Sequence, residues 1–172
     1  MRQKELQNLQ WKHIDREEMF IRLPGEITKT DYPRNVPINH HVKAVLDDLP
    51  RAITHDFVFT HKGKPFTHKI GFLRQMKKAC KDAGVPYGQE VESGIIMRDI
   101  RRTVKTGMLD AGVDPVYRDL ILGHSLKGMD RHYLSPSEDT LKGAMAKFTD
   151  WRDTQLEKEN VDQSVDHEGG VN

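Results

Sequence analysis

The chain has a single cysteine, Cys80. An internal disulfide and a cysteine-ligated zinc site are therefore excluded, and nothing suggests an oxidising compartment. No apolar run reaches the length of about 18 residues that a membrane-spanning helix needs. The opening stretch, MRQKELQNLQ, is polar and lacks the apolar segment of a secretory signal. The nine histidines show no paired metal spacing with carboxylates, and the His40-His41 pair in INHH reads as a helix start. No internal repeat is present.

What is present is charge, 31% of the residues against 36% apolar. In 172 residues this fits one globular domain with a heavily charged surface. The formal net charge is only +1, but it is unevenly spread. Residues 157–172, EKENVDQSVDHEGGVN, carry five acids and one base. That net −4 leaves +5 on residues 1–156, a balance permissive for DNA without being diagnostic of it. The tail lacks aromatics and apolar periodicity and reads as disordered.

The apolar pattern predicts a mainly α domain with a small antiparallel β-sheet. A helix is expected over 2–11, with Leu6 and Leu9 on one face. Strands are expected over 19–24 and 26–30 around the turn Pro24-Gly25, with a third over 34–38. Asn39 caps a helix to Leu49 whose inward residues are Val42, Val45, Leu46 and Leu49. A short buried strand follows over 56–60. Thr67 starts a helix with Ile70, Phe72, Leu73, Met76 and Ala79 inward, and residues 87–96 form a loop. Asp99 caps a helix closed by Gly112, Asp114-Pro115 opens one closed by Gly123, and a short helix leads to Tyr133. Ser137 starts a last helix to about Leu156.

Six residues invite a chemical reading: Arg2, Lys29, Arg98, Arg101, His124 and Tyr133. Singly, each has an ordinary explanation. An arginine at a helix start usually faces solvent, a hairpin lysine is usually solvated, and a tyrosine near a helix end usually edges a core. In combination they resemble the tyrosine recombinase (phage integrase) family. RQKELQNLQWKHID resembles the family's first arginine box, and TKTDYPRNVPI its β-hairpin with the catalytic lysine at Lys29. RDIRRTVKTGMLDAGVDPVYRDLILGHS resembles the box that carries the second arginine and runs into Leu-Gly-His. DRHY supplies a tyrosine nine residues after His124.

The resemblance implies the family's catalytic-domain fold, that of DNA breaking-rejoining enzymes, over residues 1–156. It implies that the domain's first helices and the amino-terminal core-binding domain precede the first box and are absent here. It further implies a recombinase that cuts and rejoins double-stranded DNA through a 3′-phosphotyrosine without metal, ATP or cofactor. Partner protomers in a tetrameric synapse and a place on DNA in the cytoplasm of a bacterial host belong to the same expectation. Tyr133 would be the nucleophile and Arg2 and Arg101 the phosphate clamp. Lys29 would be the general acid, with His124 and Arg98 as supporting phosphate contacts. The helix 137–156, through Leu141, Met145 and Phe148, would dock on a neighbouring protomer.

One position departs from the family pattern. Arg98 stands where the family usually has histidine. It keeps a donor and a positive charge but cannot shuttle a proton at neutral pH. Two other readings stand beside the recombinase: a relaxing enzyme of the type IB topoisomerase kind, and a non-catalytic DNA-binding remnant.

Overall fold

Phe20, Leu9, Leu23, Met108 and Val58 are among the side chains most completely withdrawn from water, and the elements around them form one core. The computed structural model describes residues 1–66, 69–124 and 136–168. Six helices lie in the described residues: α1 (Gln3–Gln7), α2 (His40–Asp48), α3 (Lys69–Asp82), α4 (Met97–Asp110), α5 (Pro115–Leu122) and α6 (Glu138–Glu168). Strands β1 (Ile14–Asp15), β2 (Phe20–Leu23) and β3 (Arg34–Pro37) form one antiparallel sheet in that order, and β4 (Thr60–His61) pairs with β5 (Lys64–Pro65). The class is the expected one, mainly helix with a small antiparallel sheet.

Capping chemistry sets the helix ends. Asn39 accepts a hydrogen bond from Val42 N–H, and Asp114 accepts one from Val116 N–H, each satisfying an orphan donor of a first turn. Pro115 fills the first position of α5, where its missing N–H is not needed. Gly112 and Gly123 close α4 and α5 in the left-handed conformation, at φ +68° and +71°. The start of α4 differs from expectation. Ile96 is the cap, and Asp99, three residues on, reaches back to accept Ile96 N–H at 3.0 Å.

Several other boundaries also differ. α1 is short, and a 3₁₀ turn at Trp11–His13 takes over the end of the expected helix. Residues 26–30 are not a strand, because a 3₁₀ turn occupies Gly25–Ile27. The buried Thr28 hydroxyl lies within hydrogen-bond distance of the Gly25 and Tyr32 carbonyls. β2 therefore pairs directly with β3, with Leu23 opposite Arg34, and residues 24–33 are the loop of that hairpin. In the 56–60 stretch only Thr60 lies in a strand, while Phe57 bridges Gln10. On α2 only Leu46 is buried, Val42 and Val45 being exposed. On α3, over residues 71–82, Cys80 and not Ala79 is the buried residue. The expected start of α3 at Thr67, and the short helix before Tyr133, lie outside the described residues.

α6 departs from expectation in two ways. It runs to Glu168, beyond the expected end near Leu156. Nothing between Leu156 and Glu168 breaks a helix, since the first glycines are Gly169 and Gly170. The absence of an apolar stripe removes packing without removing helix. Its apolar face is also already engaged: Leu141 and Ala144 lie in this chain's own core, with Met145 and Phe148 packed on it. Arg22 and Asn35 on the sheet hold Glu138 at the start of α6, Asn35 Nδ2 at 3.0 Å.

Gly107 is where α4 and α6 meet. A Cβ there would lie 2.7 Å from Trp151 Cζ3 and 3.0 Å from Phe148 Cε2, two stacked rings. On an open helix face glycine to alanine stabilises by about 0.5–1 kcal/mol. Gly107→Ala is instead expected to destabilise by about 1–3 kcal/mol through overpacking. Urea denaturation measures this, and a more stable variant would show that α6 is not seated on that glycine.

Candidate functional site

The end of α5 presents three successive carbonyls to three arginines. Gly123 N–H bonds Leu120 O and His124 N–H bonds Asp119 O, at 3.0 and 2.8 Å. That double closure consumes two of the terminal acceptors. The next three accept guanidinium protons: Ile121 O from Arg34 Nη1 at 2.6 Å, Leu122 O from Arg101 Nη2, and Gly123 O from Arg2 Nη2 at 2.6 Å. The negative end of the helix dipole favours this. Gly123 is needed twice, for its positive φ and because a Cβ would lie 2.6 Å from Arg34 Cζ.

Behind the carbonyls stands Glu5, with 1% of its side chain exposed. Its carboxylate takes Arg34 Nη2 at 2.6 Å and Arg2 Nη1 at 3.3 Å, and also accepts the Arg2 backbone N–H. Burial alone would raise the Glu5 pKa. The Arg2 N–H and the charges of Arg34 and Arg2 outweigh it and hold the group below 4.5. The arginines shift the other way. Burial, then the neighbouring Arg2 and Arg34, weakens proton binding at Arg101, and burial lowers Arg34 while Glu5 opposes. Three guanidiniums around one carboxylate leave positive charge in excess. Arg101 Nη1 is buried and has no hydrogen-bond partner among the described residues.

His124 follows directly. Its Nδ1 lies 2.9 Å from Asp119 Oδ1, and Lys105 Nζ lies 3.3 Å from the same oxygen. Burial would raise Asp119, but the bonds from His124 and Lys105 lower it, so the carboxylate stays charged. An acceptor there fixes the proton on Nδ1 and leaves Nε2 as the neutral ring's acceptor nitrogen. No described residue bonds Nε2.

This chain matches the phage integrase family over residues 1–139. It belongs to that family, the tyrosine recombinases. None of the curated proteins matches it. Among the described residues, no helix is long and apolar enough to cross a membrane.

Of the recombinase residues expected from sequence, Arg2 and Arg101 come together on adjacent carbonyls, with His124 next in the chain. Lys29 is exposed on the β2–β3 loop and shares a cleft of about 850 Å³ with Arg2 and Glu5. Arg98 is exposed on the first turn of α4 and makes no hydrogen bond or ion pair with the described residues. Tyr133 lies outside the described residues. The chain on either side of its segment is held, by the closure of α5 at His124 and by the sheet's grip on Glu138.

Sequence reasoning missed Glu5, Arg34, Asp119 and Lys105. Arg34 was visible only as part of the hairpin box, and Glu5 looks like any acid on a first helical turn. It also missed a basic stripe on α3. Arg74, Lys77, Lys78 and Lys81 recur at i, i+3, i+4 and i+7 and line one groove with Tyr87. That spacing was readable, but α3 drew notice only for its apolar face.

Glu5→Gln keeps the shape and removes the charge. Breaking a buried ion pair from one side costs about 3–5 kcal/mol, and a loss of that size in urea denaturation at neutral pH is expected. Because the folded pKa of Glu5 is depressed, its contribution is complete above 4.5 and disappears as pH falls through the folded value. The gap between parent and variant should therefore close on acidification below that value. A gap independent of pH would mean that the carboxylate's charge is not what holds the arginines.

Proposed function

We propose that this chain is the catalytic domain of a site-specific recombinase that cuts and rejoins duplex DNA through a 3′-phosphotyrosine, in the service of a phage or another mobile element. The observation that carries the reading is the cluster of Arg2, Arg34 and Arg101 around one carboxylate, with Arg101 Nη1 buried and without a partner among the described residues. A phosphodiester gains negative charge on its non-bridging oxygens as a nucleophile adds. Preorganised guanidiniums with spare donors answer that charge where water is scarce.

In this reading the Tyr133 hydroxyl gives up its proton to water, its oxygen attacks phosphorus and the bond to the 5′-oxygen breaks. The leaving oxygen takes its proton from Lys29. The phosphotyrosyl bond conserves the energy of the one it replaces, so a DNA 5′-hydroxyl can reverse the step. Arg2 and Arg101 hold the non-bridging oxygens, and His124 Nε2 adds a third contact. Arg34 and Glu5 hold the clamp without touching DNA. Arg98 keeps a donor and a charge at the family's histidine place, which preserves phosphate contact and removes a proton shuttle. The α3 stripe suits the DNA backbone. Partner protomers in a tetrameric synapse and a bacterial cytoplasmic location complete the proposal.

Arg98 also favours a second reading, a DNA-binding remnant without cleavage. A nicked suicide substrate decides between them. The recombinase leaves a covalent protein–DNA band, which Tyr133→Phe abolishes while the melting temperature stays the same. A band that survives in Tyr133→Phe assigns the nucleophile elsewhere, and binding without any band in the parent supports the remnant.

Arg101→Lys keeps the charge but loses the planar fork. Removing one preorganised donor typically costs about 10²–10³ in rate. Cleavage should fall by that order, with a far smaller change in DNA affinity by gel shift. Equal losses in rate and affinity would make Arg101 a binding residue only.

A further inference from the structure

A second group of side chains converges outside the arginine cluster. His40 and His41 open α2, and Asp153 faces them from α6. His41 Nε2 lies 2.6 Å from Asp153 Oδ1, and His40 Nε2 lies 3.4 Å from Asp153 Oδ2. The two imidazole rings are 4.0 Å apart between centroids. One ligand atom from each of the three residues falls within 4.8 Å of the others, the one such group among the described residues.

Those distances suit a metal. Zinc bonds of about 2.0–2.1 Å in a tetrahedral arrangement place ligand atoms roughly 3.3 Å apart. The His40 separation of 3.4 Å, to Asp153 Oδ2, matches. The His41 separation of 2.6 Å is to the other oxygen, Oδ1, and is that of a hydrogen bond, so the carboxylate must turn to offer one oxygen to both imidazoles and this contact must open by several tenths of an ångström. The exposure of His40 and His41, 65% and 36% of their side chains, gives them that freedom and leaves room for water as a fourth ligand. Two imidazole nitrogens and one carboxylate oxygen form a donor set that zinc accepts.

The backbone beneath the three residues is fixed independently of them. Asn39, next to His40, donates from its amide to Thr149 Oγ1 at 2.9 Å. The Thr149 hydroxyl in turn donates to Met145 O at 2.9 Å. Thr149 precedes Asp153 by four residues and so shares its face of α6. The ligands are thus carried on two helices already joined one turn away. The sequence shows no metal motif because the carboxylate is supplied by a distant helix.

We infer that His40, His41 and Asp153 form a zinc site that pins α6 to the start of α2. It uses no residue of the arginine cluster and does not depend on the recombinase reading. The test uses the tag-free, metal-stripped full chain titrated with zinc chloride by calorimetry. Cobalt(II) serves as a spectroscopic probe of tetrahedral coordination, and thermal melts are recorded with and without zinc. One ion per chain, a rise in melting temperature with zinc, and a tetrahedral cobalt spectrum are expected.

Losing even an outer-shell partner costs about 10–100-fold in metal affinity. His40→Gln, His41→Gln and Asp153→Asn should therefore each weaken zinc binding at least about tenfold. His61→Gln, an exposed histidine elsewhere, should leave it unchanged. His41→Gln also removes a hydrogen bond, so the quantity compared is the zinc-induced shift and not the melting temperature itself. A parent with no zinc-induced shift, or a shift equally large in the three ligand variants, overturns the site.

Discussion

Everything at the candidate site rests on one buried carboxylate. Without Glu5, Arg2 and Arg34 would meet each other and Arg101 as like charges, and only the α5 carbonyls would offset the desolvation of the three guanidiniums. A carboxylate stripped of water is itself costly. It is tolerated here because two guanidiniums and a backbone N–H supply what water would. The three carbonyls at the end of α5 complete the arrangement from the other side. They fix where each planar fork lies, which a carboxylate alone could not do for three arginines.

This explains why residues far apart in sequence belong to one device. Arg2 caps α1, and Glu5 is three residues further along the same helix. Arg34 opens β3, and its place opposite Leu23 in the hairpin register brings it onto α5. Arg101 lies on α4, whose tight seat on α6 depends on Gly107 having no side chain. Each arginine comes from a different element, so the cluster reports on the packing of the whole domain. His124 adds to it through the same chain reversal that exposes the α5 carbonyls.

The helix ends were legible in sequence because capping is local chemistry: Asn39, Asp114, Gly112 and Gly123 do what their residue types suggest. Burial was less legible. The periodicity of α2 marks Val42 and Val45 as apolar, but nothing in the described structure covers them, and periodicity cannot say what lies opposite a face. Residues 26–30 look like a strand by composition, and a single buried hydroxyl, that of Thr28, turns them into a loop. The arginine boxes were legible through family resemblance. Glu5 was not, because an acid in a first turn is ordinary and only its complete burial marks it out.

The central claim is that the arginines held by Glu5 and the α5 carbonyls form a clamp for a phosphate. The most direct measurement is a crystal structure of the protein trapped as its covalent adduct on a nicked DNA duplex. The account predicts the phosphotyrosyl group with its non-bridging oxygens in hydrogen-bond contact with Arg2 and Arg101, His124 Nε2 beside them, and Arg34 and Glu5 behind without contact to DNA. A scissile phosphate bound elsewhere, with Arg2 and Arg101 bonded only to Gly123 and Leu122, would contradict it.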